Sequence, residues 1–280
     1  MKEQNIQEKM IRPYEIFLQE AEKSQATIAK YLHSVRQFVS CNSNRKIDKT
    51  LMLEYKAKLG EKYSPASANT ILAAINGFLR FLGYETCVVK PFKVQKKIYY
   101  PEEKELSRAE YVRLVNAAKR KNSERLALLL ESICATGIRV SELSYITVEA
   151  VARGEAIVHC KGKMRTVFLP CALRKKLQKY LKRQKIRTGP VFITRSGKPM
   201  NRSNIWREMK DLCIRADVSP TKVFPHNLRH LFARTFYSID HDVAKLADIL
   251  GHSNINTTRI YIITTGAEHR RKIETMRLVL

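Results

Sequence analysis

The sequence lacks the features of membrane-spanning, secreted and metal-binding proteins. No stretch approaches the roughly 18 consecutive apolar residues that a membrane span requires, and residues 1–8 contain no apolar signal-peptide core. The six cysteines show neither Cys-x-x-Cys nor Cys/His metal-binding spacing. We therefore expect no membrane association and no metal, and we expect reduced, buried thiols in a cytoplasmic protein.

Acidic residues are scarce relative to basic ones. The chain has 52 Lys and Arg against 26 Asp and Glu, which gives a formal net charge of +26 at pH 7. Such an excess favours a polyanionic partner, most simply nucleic acid. A solvated basic surface and an RNA-binding protein of the ribosomal kind are the alternatives.

Two common kinds of phosphate chemistry also leave no trace in the sequence. There is no Gly-x-x-x-x-Gly-Lys-Ser/Thr loop for ATP, and no cluster of acidic residues of the kind that holds two metal ions in nucleases. We therefore expect no cofactor.

Residues 1–86 predict a compact helical domain. Apolar stripes indicate a helix over 13–22, a second after the N-cap Ser24, a third after Asp48 and a fourth from Pro65 to Gly83. Polar residues expected outside these stripes are Lys30, Arg36, Lys62, Asn69, Asn76 and Arg80.

Residues 87–104 interrupt the helical pattern. Two prolines and several lysines, including Lys96 and Lys97, occur without an apolar stripe. This composition predicts an inter-domain linker that follows a phosphate backbone, or else an ordinary exposed connector.

The second domain, residues 105–280, begins with a capping box. Ser107 and Glu110 have the Ser-x-x-Glu spacing that opens a helix. An almost wholly apolar helix over 125–135 follows and stops at Gly137. Arg139 comes directly after this buried helix, so it needs an anion, either Glu142 structurally or a phosphate functionally.

The pattern then changes to β. Runs at 156–158 and 166–169 flank a basic turn and predict a hairpin. Basic amphipathic helices are expected over 172–187 and 203–216, with a short strand at 191–194 between them. Trp206, the one tryptophan, is expected to pack in the core.

Four polar side chains gather near the end of the chain. Pro225 suits the first turn of a helix on which His226 and Arg229 share a face, opposite an apolar side. A second helix should end at Gly251, and this places His252 at a helix exit. Tyr261 follows nine residues later, in a short segment that we expect Asn256 to cap.

This order of residues resembles the tyrosine recombinase (phage integrase) family. His226-x-x-Arg229, Leu250-Gly251-His252 and Tyr261 match the family signature, and residues 135–143 resemble its first-arginine box. The resemblance spans about 106–265 and extends more loosely over the first 85 residues.

The resemblance implies a fold class and an architecture. The chain is expected to be mainly α with a small β-sheet, an α+β catalytic domain preceded by a SAM-like helical core-binding domain. In the family the helical domain closes over one side of the DNA, so that the two domains form a clamp.

Residue chemistry fits the implied roles. Guanidinium groups match the nonbridging oxygens of a phosphodiester, so Arg139 and Arg229 would stabilise the transition state, and His252 could donate a third hydrogen bond. Tyr261 would be the nucleophile and His226 its general base. By resemblance Lys161 protonates the departing 5′ oxygen, with Lys163 as the alternative.

The implied function is site-specific DNA recombination through a 3′-phosphotyrosyl intermediate, serving integration and excision of a mobile element. Alternatives are Xer-type resolution of chromosome or plasmid dimers, DNA relaxation of the type IB topoisomerase kind, and DNA binding without catalysis. Expected partners are double-stranded recombination sites, further copies of the chain, and an accessory directionality factor. The chain is expected to be a monomer or dimer when free and a tetramer on DNA. The resemblance also implies a bacterial-type, nucleoid-associated protein. The tail, 266–280, is expected to dock on a neighbouring subunit or on its own domain. Candidate DNA contacts are Lys30, Arg36, Arg80, Lys96, Lys97, Lys163 and Arg165.

Overall fold

A computed structural model describes residues 8–43, 45–94, 102–121, 123–160, 163–262 and 274–276. The fold is mainly helical with one two-stranded antiparallel sheet, as the sequence predicts. The chain divides into two compact units, residues 1–96 and 97–280. Within the described ranges no helix has the length and apolar character needed to cross a membrane.

The first unit is built from the helices α1 (Ile11–Glu20), α2 (Gln25–Cys41), α3 (Lys49–Lys62) and α4 (Pro65–Phe81). The predicted caps are present, because the side chains of Ser24 and Asp48 accept hydrogen bonds from backbone amides in the first turns of α2 and α3. The apolar stripes meet in one core, in which Val35, Phe38 and Phe78 are fully buried. Helix α1 begins and ends two residues earlier than predicted.

Two asparagines of α4 hold an extended segment against the helical unit. The side chain of Asn76 donates to the carbonyl of Val89 at 2.8 Å and accepts from its amide at 3.2 Å, and Asn69 does the same with Phe92. The prediction that Asn76 is exposed is therefore wrong: it is buried, and Asn69 is half-buried. The start of the predicted linker therefore packs against the helices of this unit, with Val89 in their core.

The second unit opens with α5 (Arg108–Arg120) and α6 (Glu124–Thr136). The capping box of Ser107 and Glu110 forms with both reciprocal hydrogen bonds. Helix α6 is the central helix, and it ends at Gly137 in the left-handed conformation. A short 3-10 helix, Val140–Tyr145, follows immediately.

Helix α7 (Val148–Arg153) leads into the hairpin of β1 (Glu155–Cys160) and β2 (Lys163–Phe168), which pair in antiparallel register. Helices α8 (Cys171–Gln184), α9 (Arg202–Lys210) and α10 (Cys213–Ala216) come next. The single helix predicted over 203–216 is thus two. The predicted strand at 191–194 is not formed, and Ile193 makes a single isolated bridge, to Pro199.

Two predictions of burial were wrong. Trp206 is 51% exposed, because α9 turns Ile205 and Met209 into the core instead. Cys41 and Cys171 are exposed rather than buried. Each of these three side chains lies beside the apolar stripe of its helix and not within it.

The unit ends with α11 (Pro225–Asp240), α12 (Val243–Leu250) and α13 (Ile255–Ile262). Gly251 ends α12 in the left-handed conformation, as predicted. The start of α13 differs from the prediction, because Asn254 and not Asn256 caps it: the Asn254 side chain accepts a hydrogen bond from the Asn256 amide at 2.9 Å. These helices pack around a small separate core that contains Ala233, Leu246, Leu250 and Tyr261.

Candidate active site

Arg229 joins three segments that are far apart in the sequence. Its side chain is 2% exposed and donates to the carbonyls of Gly137 and of Leu250, the latter at 2.7 Å. The same guanidinium lies 3.0 Å from Nε2 of His252. On the polar face predicted for α11, Arg229 is therefore covered by the ends of α6 and α12, whose free carbonyls it binds, while His226 stays exposed.

Glycine is required at both helix ends. Gly137 and Gly251 have φ values of +63° and +64°, in the region that L side chains rarely adopt. A Cβ at Gly137 would collide with the ring of Phe232, and one at Gly251 with Arg165. These left-handed turns present the carbonyls of Gly137 to Arg229 and of Gly251 to Arg139.

Glu142 fixes the position of Arg139. This carboxylate is 2% exposed and accepts hydrogen bonds from the Arg139 amide at 3.0 Å and side chain at 2.8 Å, and from Arg165 at 2.6 Å. Burial opposes its ionisation, but the hydrogen bonds from Arg139 and Arg165 outweigh that effect and hold the pKa of Glu142 below its usual value. Glu142 is thus the anion that binds Arg139 in this structure. The other amino group of Arg139 donates to the Gly251 carbonyl at 3.2 Å and lies at the surface, where a phosphate can also reach it.

Tyr261 lies among three histidines. Its ring centroid is 5.4 Å from those of His226 and His252 and 4.2 Å from that of His230. His230 is the residue that the sequence analysis missed, although its position four residues after His226 places the two rings on one face of α11. Tyr261 itself is 5% exposed.

These histidines are held in the neutral form. Desolvation and nearby positive charge, chiefly from Arg229, lower the pKa of His252 to about 4, and they lower that of His226. Burial, together with His226 and Arg234, lowers the pKa of His230 to about 3. Burial and Arg139 lower the pKa of Arg229 to about 10, so this group remains a cation at pH 7.

The contact with Arg229 selects one tautomer of His252. Arginine can only donate, so Nε2 of His252 accepts from Arg229 and the proton lies on Nδ1. Nδ1 is 2.8 Å from the hydroxyl of Thr258, a buried residue of α13. Because a hydroxyl can donate or accept, Thr258 can support either tautomer of this histidine.

A cavity of about 450 Å³ opens beside these groups. Arg139, His226 and Arg229 line it together with Arg202 and Trp206 of α9. An anion entering the cavity would meet guanidinium groups contributed by three separate segments of the chain.

The remaining candidate residues divide into three groups. Lys96, Lys97 and Lys161, and the side chain of Lys163, lie outside the described residues, as does the tail apart from 274–276. Arg165, a candidate DNA contact, has a side chain that is only 12% exposed and that donates to Glu142 and to the Ile249 carbonyl. The exposed side chains on the helices of the first unit include Lys30, Arg36 and Arg80.

Known proteins share both the sequence pattern and the fold. Residues 104–267 match the model of the phage integrase family. The chain is 31% identical over 277 residues to the tyrosine recombinase XerA of Thermococcus onnurineus (strain NA1), with 95% of this chain and 94% of that protein covered. It is 26% identical to XerA of Pyrococcus furiosus, with 100% and 98% covered.

A structural comparison gives the same fold. The Tn1549 transposon integrase in complex with transposon right end DNA matches with a TM-score of 0.73 and 16% identity, covering 97% of this chain and 99% of that one. The family model covers more than half of the chain, and it contains every residue gathered around Tyr261. The chain therefore belongs to the phage integrase family and is a tyrosine recombinase.

Proposed function

We propose that the protein is a site-specific recombinase that cuts DNA by attack of the Tyr261 hydroxyl on a phosphodiester. The observation that supports this most directly is the placement of Tyr261 within 5.4 Å, between ring centroids, of both His226 and His252. Attack would give a 3′-phosphotyrosyl bond and release a 5′ hydroxyl. Because the covalent link conserves the energy of the broken bond, a second 5′ hydroxyl can reverse the step and reseal the strand.

Arg139 and Arg229 would stabilise the transition state. Negative charge accumulates on the nonbridging oxygens as the nucleophile arrives, and preorganised guanidinium groups bind these oxygens most strongly at that point. Glu142 and the carbonyls at the ends of α6 and α12 already fix both arginines. Little reorganisation is then needed when a phosphate enters the cavity.

His226 would accept the phenolic proton of Tyr261. Its lowered pKa keeps it neutral at pH 7, and a neutral imidazole is the form that acts as a base. His252 would supply a third hydrogen bond to the phosphate. That role requires the proton on Nε2 and the release of the hydrogen bond that Nε2 accepts from Arg229, and Thr258 can then donate to Nδ1.

The side chain of Tyr261 must become more accessible before its hydroxyl can attack a phosphodiester. At 5% exposure the side chain packs in the small core formed with Leu246 and Leu250. We infer that DNA binding shifts α13, the helix that contains Tyr261. Proton donation to the departing 5′ oxygen is assigned to Lys161, or to Lys163, by resemblance to the family.

Covalent trapping tests the proposal. The protein is incubated with sheared genomic DNA of its host, the mixture is denatured, and fragments linked to protein are sequenced to find the site. A nicked duplex that contains this site then traps the adduct, because the short cleaved strand diffuses away. Wild type should form an adduct, whereas Tyr261→Phe should form none.

Tyr237→Phe is a matched control, since Tyr237 lies beside the same small core. It should form the adduct at the wild-type level. An undiminished adduct in Tyr261→Phe refutes the assignment of the nucleophile.

For the biological role, we place Xer-type resolution of chromosome or plasmid dimers ahead of mobile-element integration. The supporting observation is that similarity to XerA covers 98% of that protein at 26% identity, whereas the transposon integrase matches at 16%, a level that supports the fold alone. In either role the chain would act as a tetramer on two double-stranded sites. Adducts at one fixed chromosomal position support resolution, and adducts at the ends of a mobile element support integration.

A further inference from the structure

Trp206 is exposed, although the sequence predicted that it would pack in the core. It is the only tryptophan of the chain and is 51% exposed, while its neighbours Ile205 and Met209 are fully buried. Its side chain lines the same cavity as Arg139 and Arg229. A large aromatic surface thus faces the candidate active site instead of the core.

The position of this ring is fixed. Helix α9 is capped at its start by the Asn201 side chain, which accepts from the Asn204 amide at 2.8 Å. The ammonium group of Lys210 lies 5.3 Å from the centroid of the Trp206 ring and also donates to the Pro220 carbonyl. This cation–π contact restrains the indole, which is nevertheless 51% exposed.

Arg202 stands one helical turn before Trp206. Residues four apart on a helix share a face, and both of these side chains line the cavity. The charge of Arg202 also acts on His226, whose pKa it helps to lower. Arg202 therefore lies close enough to the candidate site to bind the same ligand.

The cavity has the character of a nucleotide-binding surface. Its lining includes Arg139, Arg202 and Arg229, and none of the described residues that line it is acidic. Positive charge suits a phosphate backbone, and an aromatic face suits the apolar side of a deoxyribose, which a duplex leaves accessible. A duplex whose scissile phosphate lies between Arg139 and Arg229 would continue past α9.

We propose that Trp206 packs against the nucleotide that flanks the phosphate held by Arg139 and Arg229, and that Arg202 binds the neighbouring phosphate. The inference depends on the proposed function for the identity of the ligand. It assigns to α9 a contact that is aromatic at Trp206 and electrostatic at Arg202, and these two kinds of contact respond differently to salt.

Fluorescence tests the contact directly, because Trp206 is the only indole in the chain. The full-length protein is titrated with a 30-base-pair duplex that contains the trapped site, at several salt concentrations. In the free protein acrylamide should quench Trp206 efficiently. Binding of DNA should change the emission and protect the ring from acrylamide.

Substitutions separate the aromatic from the electrostatic contribution. Trp206→Ala should weaken binding of the duplex by roughly 5-fold, the cost of losing apolar contact with one sugar, without changing the slope of log K against log salt concentration. Arg202→Ala should reduce the magnitude of that slope by about 0.9, the contribution of one phosphate contact. Trp206→Phe should retain most of the affinity.

Ile214→Ala is the control for removal of an exposed apolar side chain from the same unit, because Ile214 is 93% exposed and does not line the cavity. It should bind as wild type does. Unchanged affinity in Trp206→Ala overturns the inference, and so does a Trp206 emission that DNA leaves unaltered. Adduct formation at Tyr261 is measured separately, so failure of the Trp206 contact is distinguishable from failure of the proposed function.

Discussion

The two units of the chain bury polar groups in different ways. In the helical unit the buried polar side chains are neutral and each binds nearby backbone: Asn76 pairs with Val89, and Asn42 donates to the Phe38 carbonyl at 2.8 Å. In the second unit, residues 97–280, called the catalytic unit below because it contains Tyr261, the buried polar side chains include charged groups. Glu142 and Arg229 are both 2% exposed.

The two units also differ in how completely their buried polar atoms are hydrogen-bonded. Asn76 uses both its donor and its acceptor, whereas Nε of Arg229 and of Arg165 is buried and has no hydrogen-bond partner among the described residues. A buried charge costs free energy unless it is fully paired. The second unit therefore buries cations at a cost in free energy, and a phosphate that binds Arg229 from the cavity would offset part of that cost.

Arg229→Lys should show the largest effect. Lysine keeps the positive charge, but its single ammonium group cannot replace the planar guanidinium, which binds two helix ends and a phosphate at the same time. The rate of adduct formation should fall by about 10² to 10³-fold, as expected when a preorganised donor to the transition state is lost. Single-turnover trapping on the nicked duplex measures this rate.

Arg125→Lys is the matched control for this substitution. Arg125 also donates to a carbonyl, that of Ile193, and to a carboxylate, that of Glu208, and its Nε is likewise buried. It does not line the cavity beside Tyr261. Both variants should lose stability, and only Arg229→Lys should lose adduct formation; equal losses of activity would remove the distinction between structural and functional arginines.

Glu142→Gln should be next in magnitude. The neutral amide leaves Arg139 and Arg165 without their shared anion, and removal of one partner from a buried ion pair costs about 3 kcal/mol. Urea titration of the full chain measures the change in the free energy of unfolding. Adduct formation should also slow, because Arg139 loses the group that orients it.

The chain offers a control in Glu131→Gln. Glu131 also pairs with two cations, Lys119 and Lys176, but these side chains are more than half exposed. Exposed ion pairs contribute less than about 1 kcal/mol each, so the loss here should be small. If Glu131→Gln and Glu142→Gln are equally destabilising, the burial of Glu142 does not have the importance assigned to it.

The sequence predicted what local periodicity and local motifs encode. The apolar stripes of α2 and α4 were correct in position and in burial, because a single helix face determines them. Gly137 and Gly251 were correctly predicted to end helices. The resemblance to a family then assigned roles to residues such as Tyr261, roles that the residue types alone left open.

Contacts between distant segments could not be predicted from the sequence. Arg165 is bound by Glu142 and by the end of α12, 84 residues away along the chain, and no local pattern signals that pairing. Trp206 was assigned to the core because tryptophan is usually well buried, but Ile205 and Met209 fill the core side of α9. Asn76 was assigned to the surface because its binding partner lies beyond the end of its helix.

His230→Phe should have the smallest effect, and one that depends on pH. The pKa of His230 is about 3 in the folded protein and about 6.5 in an unfolded chain, so between these values only the unfolded state binds the proton. Stability of the wild type should therefore fall as pH drops below about 6.5. Between about pH 6.5 and 5, His230 accounts for about 2 kcal/mol of that loss, at 1.36 kcal/mol per pH unit.

Phenylalanine keeps an aromatic ring against Tyr261 and cannot titrate, so His230→Phe should flatten the decline in melting temperature between pH 7 and 5. Part of the decline should persist, because His252 also has a lowered pKa. Asn76→Ala provides the contrast from the helical unit: it leaves a neutral group unpaired and should cost about 1 to 3 kcal/mol equally at both pH values. If His230→Phe changes stability by the same amount at pH 7 and 5, His230 only packs against Tyr261, and its protonation does not contribute to the pH dependence of stability.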